Sequence, residues 1–289
     1  MRPILRGPAE RLHGFGAVDS LADALYKAVY AVVPNETARK DLLAGTWHGH
    51  PLHPALTDVT VGSWIGAFVL DLFGDESADG AADALIGLGA LSAIPTAASG
   101  LVDWSDTGNP ERRVGVVHAV GNVTALLMYG VAFVLRRAGM RRAGRRLSFA
   151  AFATATASAY LGGHMAYGRG VGVDQTVFET QPTEWTSVMS AEELPEGKPG
   201  SARVDGTTLV LYRAGDRILA LSARCSHRGG PLHEGEIDDG ELSVTCPWHG
   251  SMFDLETGDV LRGPATAPQP AYEARTNQGR IEVRLRVRG

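Results

Sequence analysis

Two cysteines stand near the C-terminal end of this 289-residue chain, each beside a histidine. The stretch CSHRGGPL offers Cys225 and His227, and CPWHGSMFD offers Cys246 and His249. No other cysteine occurs, which excludes a disulfide scaffold and points to metal or redox use. Four thiol and imidazole donors on two short turns form a metal-binding set. Zinc accepts two cysteines with two histidines, although zinc fingers usually group them as a Cys pair and a His pair. The mixed pairing here suits a two-iron cluster in which one iron takes both thiolates and the other both imidazoles. Gly229, Gly230 and Pro231 let the first loop turn tightly, and Pro247 and Gly250 do the same for the second. Backbone N–H groups there can donate to cluster sulfurs.

The elements that must carry these loops read as short strands. After about residue 185 the chain is polar with period-two alternation. TTLVLYR and RILALSA meet at residues 214–216, ELSVTC comes next, and MFDL and DVLRG flank residues 256–258. AYEAR and RIEVRLRV flank residues 277–279. Such spacing predicts a small antiparallel barrel or sandwich. With the motif C-x-H…C-x-x-H on such a frame, residues 185–289 resemble a Rieske [2Fe–2S] domain. The resemblance implies that Cys225 and Cys246 bind one iron and His227 and His249 the other. GPATAP, 263–268, is similar to the proline segment that covers the cluster, so Pro264 joins Gly250 and Ser251 as supporting residues. The extra cysteine pair of the cytochrome bc type is missing, and Trp248 takes the place of one. That resembles Rieske ferredoxins and the Rieske domains of oxygenases. Ser251 stands where the bc type has a serine donating to a cluster sulfide, but Phe253 stands where it has a tyrosine. One donor of two implies a reduction potential in the middle of the family range of about −150 to +300 mV. Solvent-facing His227 and His249 are where electrons would pass. No mononuclear iron domain with two histidines and a carboxylate is expected after the Rieske domain, so ring hydroxylation by this chain alone is not expected.

The other half is apolar. Residues 19–33 predict an amphipathic helix capped at Asp19 or Ser20, with Leu21, Leu25, Val29 and Val32 as its stripe. Four apolar segments come after it, over about 55–73, 81–102, 114–135 and 147–167. Each approaches the ~20 residues that cross a bilayer. Asp58 and Asp71 weaken the first, and the second carries Pro95 among small residues suited to close packing in lipid. The architecture expected is a four-helix transmembrane bundle followed by a small antiparallel β domain. Its parts are an N-terminal segment 1–45, a four-span membrane domain 46–168, a linker 169–184 and the Rieske domain 185–289. GHPLHP, 49–54, is similar to the G-H-P-x-H-P motif of a family of multispan membrane domains. RRAGMRRAGRR between the last two segments predicts a cytoplasmic loop. An even span count then sets both termini and the Rieske domain on the outer face, although Arg39, Lys40, Arg112, Arg113 and Arg169 narrow the charge difference. Arg145 and Arg146 before the last span read either as a twin-arginine export mark or as a charge anchor. The opening residues lack an apolar stretch, so no cleavable signal peptide is expected.

Ionisable residues at membrane depth are functional candidates. His118 and His164 read as axial ligands of a haem b, with Gly115 and Gly121 making room, or as a quinol (quinone) site with His118 or Asp58 taking protons. His48, His50 and His53 read as interfacial histidines bonded to backbone or water. A net charge of −5 without a long basic stretch in the C-terminal half argues against nucleic acid as a partner. The function expected is a multi-pass cell-membrane electron carrier, linking a quinol or haem donor to a partner protein. The alternatives are a reductase component feeding a separate oxygenase or terminal enzyme, and a zinc-binding structural membrane protein.

Overall fold

A computed structural model describes residues 6–287 of the chain, leaving the first five residues and the last two outside the described range. The chain forms two compact units. The first comprises Met1–Val33 with Leu52–Val171, and the second Pro34–Pro51 with Gly172–Gly289.

The first unit is helical. It holds α1 (Arg6–Leu12), α2 (Asp19–Val32), α4 (Leu52–Phe73), α5 (Asp79–Ser105), α6 (Asn109–Arg137) and α7 (Arg141–Gly163), while α3 (Ala38–Ala44) belongs to the second unit. A π-helical turn, His164–Gly168, ends α7. Among the described residues, three helices are long and apolar enough to cross a membrane: α4, α5 with the turn before it, and α6. The expectation of four is not met by α7. Four arginines occupy its first two turns, and its charge-free α-helical part, 147–163, is shorter than the ~20 residues a bilayer needs. α5 runs unbroken through Pro95. Hydroxyls brace it there, since Thr60 Oγ1 lies 2.9 Å from Ser92 Oγ and 3.1 Å from Thr96 Oγ1.

Small residues let large rings into the bundle. A Cβ on Gly89 would lie 2.3 Å from Trp64 Nε1, and Trp64 stacks on Tyr129 at 4.4 Å. Gly115 and Gly121 make room for Trp104 and Ser158. Leu91, Ile94, Leu127 and Val134 are exposed, as expected of a lipid-facing surface. The helix α2 starts at Asp19 without a side-chain cap, because its N-cap position is Val18, which has no acceptor; the Asp19 carboxylate pairs with Arg113 at 2.7 Å. Its stripe differs from the expected one. Ala22, Leu25, Tyr26 and Val29 pack near Trp104 and Val116, while Leu21 and Val32 stay exposed.

The arginine stretch is tied to helix-end carboxylates. Arg136 is buried and donates to Asp71 at 2.7 and 2.8 Å and to Asp83 at 2.5 Å. Arg141 pairs with Asp79 and Asp83, and Arg145 with Asp79 at 3.1 Å. Asp71, the blemish in the first apolar segment, is thereby neutralised.

The second unit is antiparallel β. One sheet orders β1 (Thr186–Ser190), β10 (Arg280–Leu285), β9 (Ala271–Asn277), β4 (Arg217–Ser222), β3 (Thr207–Ala214) and β2 (Pro199–Val204). The other orders β5 (Glu236–Asp238), β6 (Ser243–Thr245), β7 (Met252–Asp254) and β8 (Val260–Arg262). Alternate side chains of β3 serve two cores: Val210 and Tyr212 join Leu221, Val244 and Phe253, while Leu209 and Leu211 join Ala220, Ile281 and Val283. The hairpin turns at Asp205-Gly206 and Gln278-Gly279 have positive φ at both residues, the two-residue geometry that matches strand twist.

The stretch expected as a linker divides. From Gly172 onward it is bound into the β unit. Gln175 N–H donates to Ser226 O, Ser222 Oγ donates to Glu179 Oε2, and Leu285 N–H donates to Pro182 O. The N-terminal segment likewise divides, because Pro34–Pro51 packs with the β unit.

Candidate metal centre

Both ligand loops are closed by their own backbone. In the first, Cys225 N–H donates to Gly230 O at 2.9 Å and Gly229 N–H returns to Cys225 O at 2.8 Å. In the second, Cys246 N–H donates to Ser251 O at 2.8 Å and Gly250 N–H to Cys246 O at 3.1 Å. Gly229 and Gly250 sit at φ 75° and 78°, where a side chain is strained. The loops face each other closely. A Cβ on Gly230 would lie 2.7 Å from Cys246 Sγ.

Cys225 and Cys246 are buried free thiols that hydrogen-bond to one another. That bond, helped by the backbone N–H groups of Trp248 and His249, lowers Cys246 to about 7 against the opposing effect of burial. The same bond, with burial, pushes Cys225 well up. Cys246 is the readier thiolate. The His227 and His249 rings meet edge to face with centroids 5.1 Å apart. Both are half-buried rather than open to solvent as the sequence suggested. Burial, and then the charges of His249, Lys40 and Arg228, hold His227 well below the usual imidazole range. Its neutral form is the one that ligates a metal.

A supporting layer ties the loops to the proline segment. Ser251 is fully buried, and its Oγ accepts from Ala265 N–H at 3.0 Å. Gln269, also fully buried, accepts from Ser226 N–H and donates to Ser222 O at 2.8 Å and Arg224 O at 2.5 Å. Ser226 Oγ donates to Ala267 O at 2.7 Å. Sequence reasoning missed Gln269. Its only signal is an amide between Pro268 and Pro270, directly after the proline segment.

Among the described residues no three His, Cys, Asp or Glu side chains converge as a single-ion site would require. Two facing pairs fit a two-iron cluster, in which each iron takes two protein donors. Residues 184–273 match the family described as the Rieske [2Fe-2S] domain. Over 108 residues the chain is 34% identical to the anthranilate 1,2-dioxygenase ferredoxin subunit of Burkholderia cepacia, covering 37% of this chain and 97% of that protein. The chain belongs to the Rieske [2Fe–2S] family. This Rieske protein is also 33% identical to sulredoxin of Sulfurisphaera tokodaii, over 34% of its own length and 96% of the relative's. A solved ferredoxin of carbazole 1,9a-dioxygenase from Nocardioides aromaticivorans IC177 is 30% identical, with a TM-score of 0.34 over 35% of this chain and 98% of that one. Residues 49–175 of the Rieske protein match a second family, described as predicted membrane protein (DUF2231).

The membrane histidines have separate neighbours. His118 donates from Nδ1 to Ser158 O at 2.8 Å, and its Nε2 accepts from Asn122 Nδ2 at 3.0 Å. Both ring nitrogens are engaged, so axial ligation of a haem would require Asn122 to give way. His164 meets His13 instead, with Nε2 atoms 3.3 Å apart and rings stacked at 5.3 Å. This pair borders a cavity of about 840 Å³, lined also by Glu10, Tyr160, Tyr167 and Arg169. His53 is bonded within the bundle, its Nδ1 donating to Thr96 O at 2.9 Å. Asp58 is exposed.

Proposed function

We propose that the protein is a membrane-anchored one-electron carrier, with Cys225 and Cys246 on one iron and His227 and His249 on the other. The observation that carries it is the pair of facing Cys–His loops, Cys225 with His227 and Cys246 with His249, in a chain that also holds apolar helices of spanning length. When bound, the cluster supplies a single reversible electron. The protein's part is to hold the four donors, keep the His227 imidazole neutral and bury the two thiols.

The membrane donor in this reading is a quinol rather than a haem. The cavity beside His13 and His164 is of a size for a ring-shaped ligand, and two imidazoles there can accept protons from hydroxyls. Haem finds less support, since His118 is already bonded at both nitrogens. Four spans, with α7 completing its crossing through the π-helical turn, would set both ends of the chain on one face. The arginine stretch would then lie in the cytoplasm and the Rieske domain outside. A second reading is electron delivery to a separate oxygenase, favoured by relatives whose names are dioxygenase ferredoxin subunits.

The test is a reduced-minus-oxidised optical spectrum of the full-length protein in mild detergent, followed by addition of a short-chain quinol. Cluster absorbance that bleaches on quinol addition is expected. Sharp haem bands would replace the quinol reading, and a cluster reduced only by a flavoprotein with NAD(P)H would favour the oxygenase reading.

A further inference from the structure

A segment far from the Rieske match in sequence is built onto its cluster loops. Pro34–Pro51 precedes the first apolar helix, whereas the family match begins at residue 184. The segment is ordered by its own bonds. Thr37 caps α3 by accepting from Lys40 N–H, Gly45 ends it in the left-handed region at φ 91°, and Trp47 Nε1 donates to Leu42 O at 3.1 Å.

Three latches fasten it to the proline segment and the second ligand loop. Gly263 N–H donates to Asp41 Oδ1 at 2.9 Å. Thr46 Oγ1 donates to Ala265 O at 3.3 Å. Glu36 pairs with Arg262 at 3.4 Å, and Arg262 Nε in turn donates to Gly250 O at 3.3 Å. The fit leaves no spare room. A Cβ on Gly263 would lie 2.1 Å from Thr46 Oγ1, and one on Gly250 would lie 2.6 Å from Glu36 Cγ. Gly250 comes directly after the ligand His249, and Ala265 is the residue that Ser251 holds.

Lys40 lies on α3 within this segment and is 1% exposed. A lysine is almost never buried so completely without a reason. Its helix neighbour Asp41 accepts from Gly263 N–H, and Glu36 one turn earlier packs on Gly250, so the lysine is buried in the part of the segment that meets the cluster loops. A fixed positive charge beside a redox centre favours the state with one more electron, and the effect grows as water is excluded.

We infer that Pro34–Pro51 is an intramolecular cap on the cluster loops and that Lys40 is its tuning residue, raising the reduction potential through its charge. The negative groups in the same contact are Glu36, bound to Arg262, and Asp41, bound to the Gly263 backbone. The cap also claims ground at Gly250 and 262–265 that a docking protein would otherwise use, while Trp248, 55% exposed, stays available beside it.

The experiment is an EPR-monitored redox titration of the full-length protein in detergent. Lys40→Met should lower the midpoint potential with an unchanged iron content, Lys40→Arg should hold it near the parent value, and Lys198→Met, an exposed lysine in the same unit, should leave it unmoved. Should Lys40→Met fail to take up iron, the charge-neutral unlatched pair Gly263→Ala with Thr46→Val replaces it, and it too should lower the potential by releasing Lys40 to solvent. A potential that stays at the parent value in the iron-loaded variant overturns the inference. So does Lys40→Arg falling as far as Lys40→Met.

Discussion

Ser251 holds the proline segment by accepting from Ala265 N–H, which leaves its own proton available for a cluster sulfide. Replacing it with alanine should lower the potential, measured by the same titration, because one stabilising donor to the reduced cluster is lost. It should also cost about 1 kcal/mol of stability for the missing bond to Ala265. With Phe253 unable to donate, the parent potential should sit between the family extremes of about −150 and +300 mV, and a value at either end would refute that account. Gly230 makes a sharper case. Any side chain there meets Cys246 Sγ, so Gly230→Val should abolish cluster loading, read as the iron and sulfide content of purified protein. The four proposed donors stood out by residue type and spacing alone, because ligand chemistry demands such groups. Gln269 was not legible, because a glutamine in a polar loop becomes structural only when folding buries it against Ser222, Arg224 and Ser226.

Helices α4, α5 and α6 are joined at one end by Arg136, which pairs with Asp71 of α4 and Asp83 of α5. Removing one partner of a buried pair leaves an uncompensated charge at a cost of about 3–5 kcal/mol. Arg136→Leu should therefore sharply lower the midpoint of thermal unfolding in detergent, and Arg136→Leu with Asp71→Asn should recover part of the loss. The strand unit has its own sensitive point on the stretch 172–184. Burial raises Glu179 despite the hydrogen bond from Ser222. A carboxyl whose folded pKa is raised binds its proton more tightly in the folded state. Its stabilising effect is complete below the unfolded pKa of about 4.3 and is lost as pH rises through the raised folded value. Glu179→Gln should flatten this fall, seen in unfolding midpoints across mildly acid pH. Most strands and all four long helices were readable from periodicity and apolar length. The end of α7 was not, since the apolar letters continue through 164–168 while the backbone changes to a π-helical turn.

At the level of the whole chain, span number decides topology. Reporters fused before residue 1 and after residue 289 should lie on the same side of the membrane for four crossings, and on opposite sides for three. Protease protection in vesicles of known orientation reads this directly. Composition and spacing by themselves determined the two halves, the metal chemistry and the apolar segments, because each depends on residue type along a short stretch. They also pointed to the two Cys–His pairs proposed here as cluster ligands. Only the tertiary structure decided which distant residues meet. It gave the loop arginines aspartate partners, divided the expected linker, and brought Pro34–Pro51 onto loops more than two hundred residues away. Those outcomes depend on which polar groups each surface left to be satisfied, and a hydrogen bond between Thr46 and Ala265 has no trace in either local sequence.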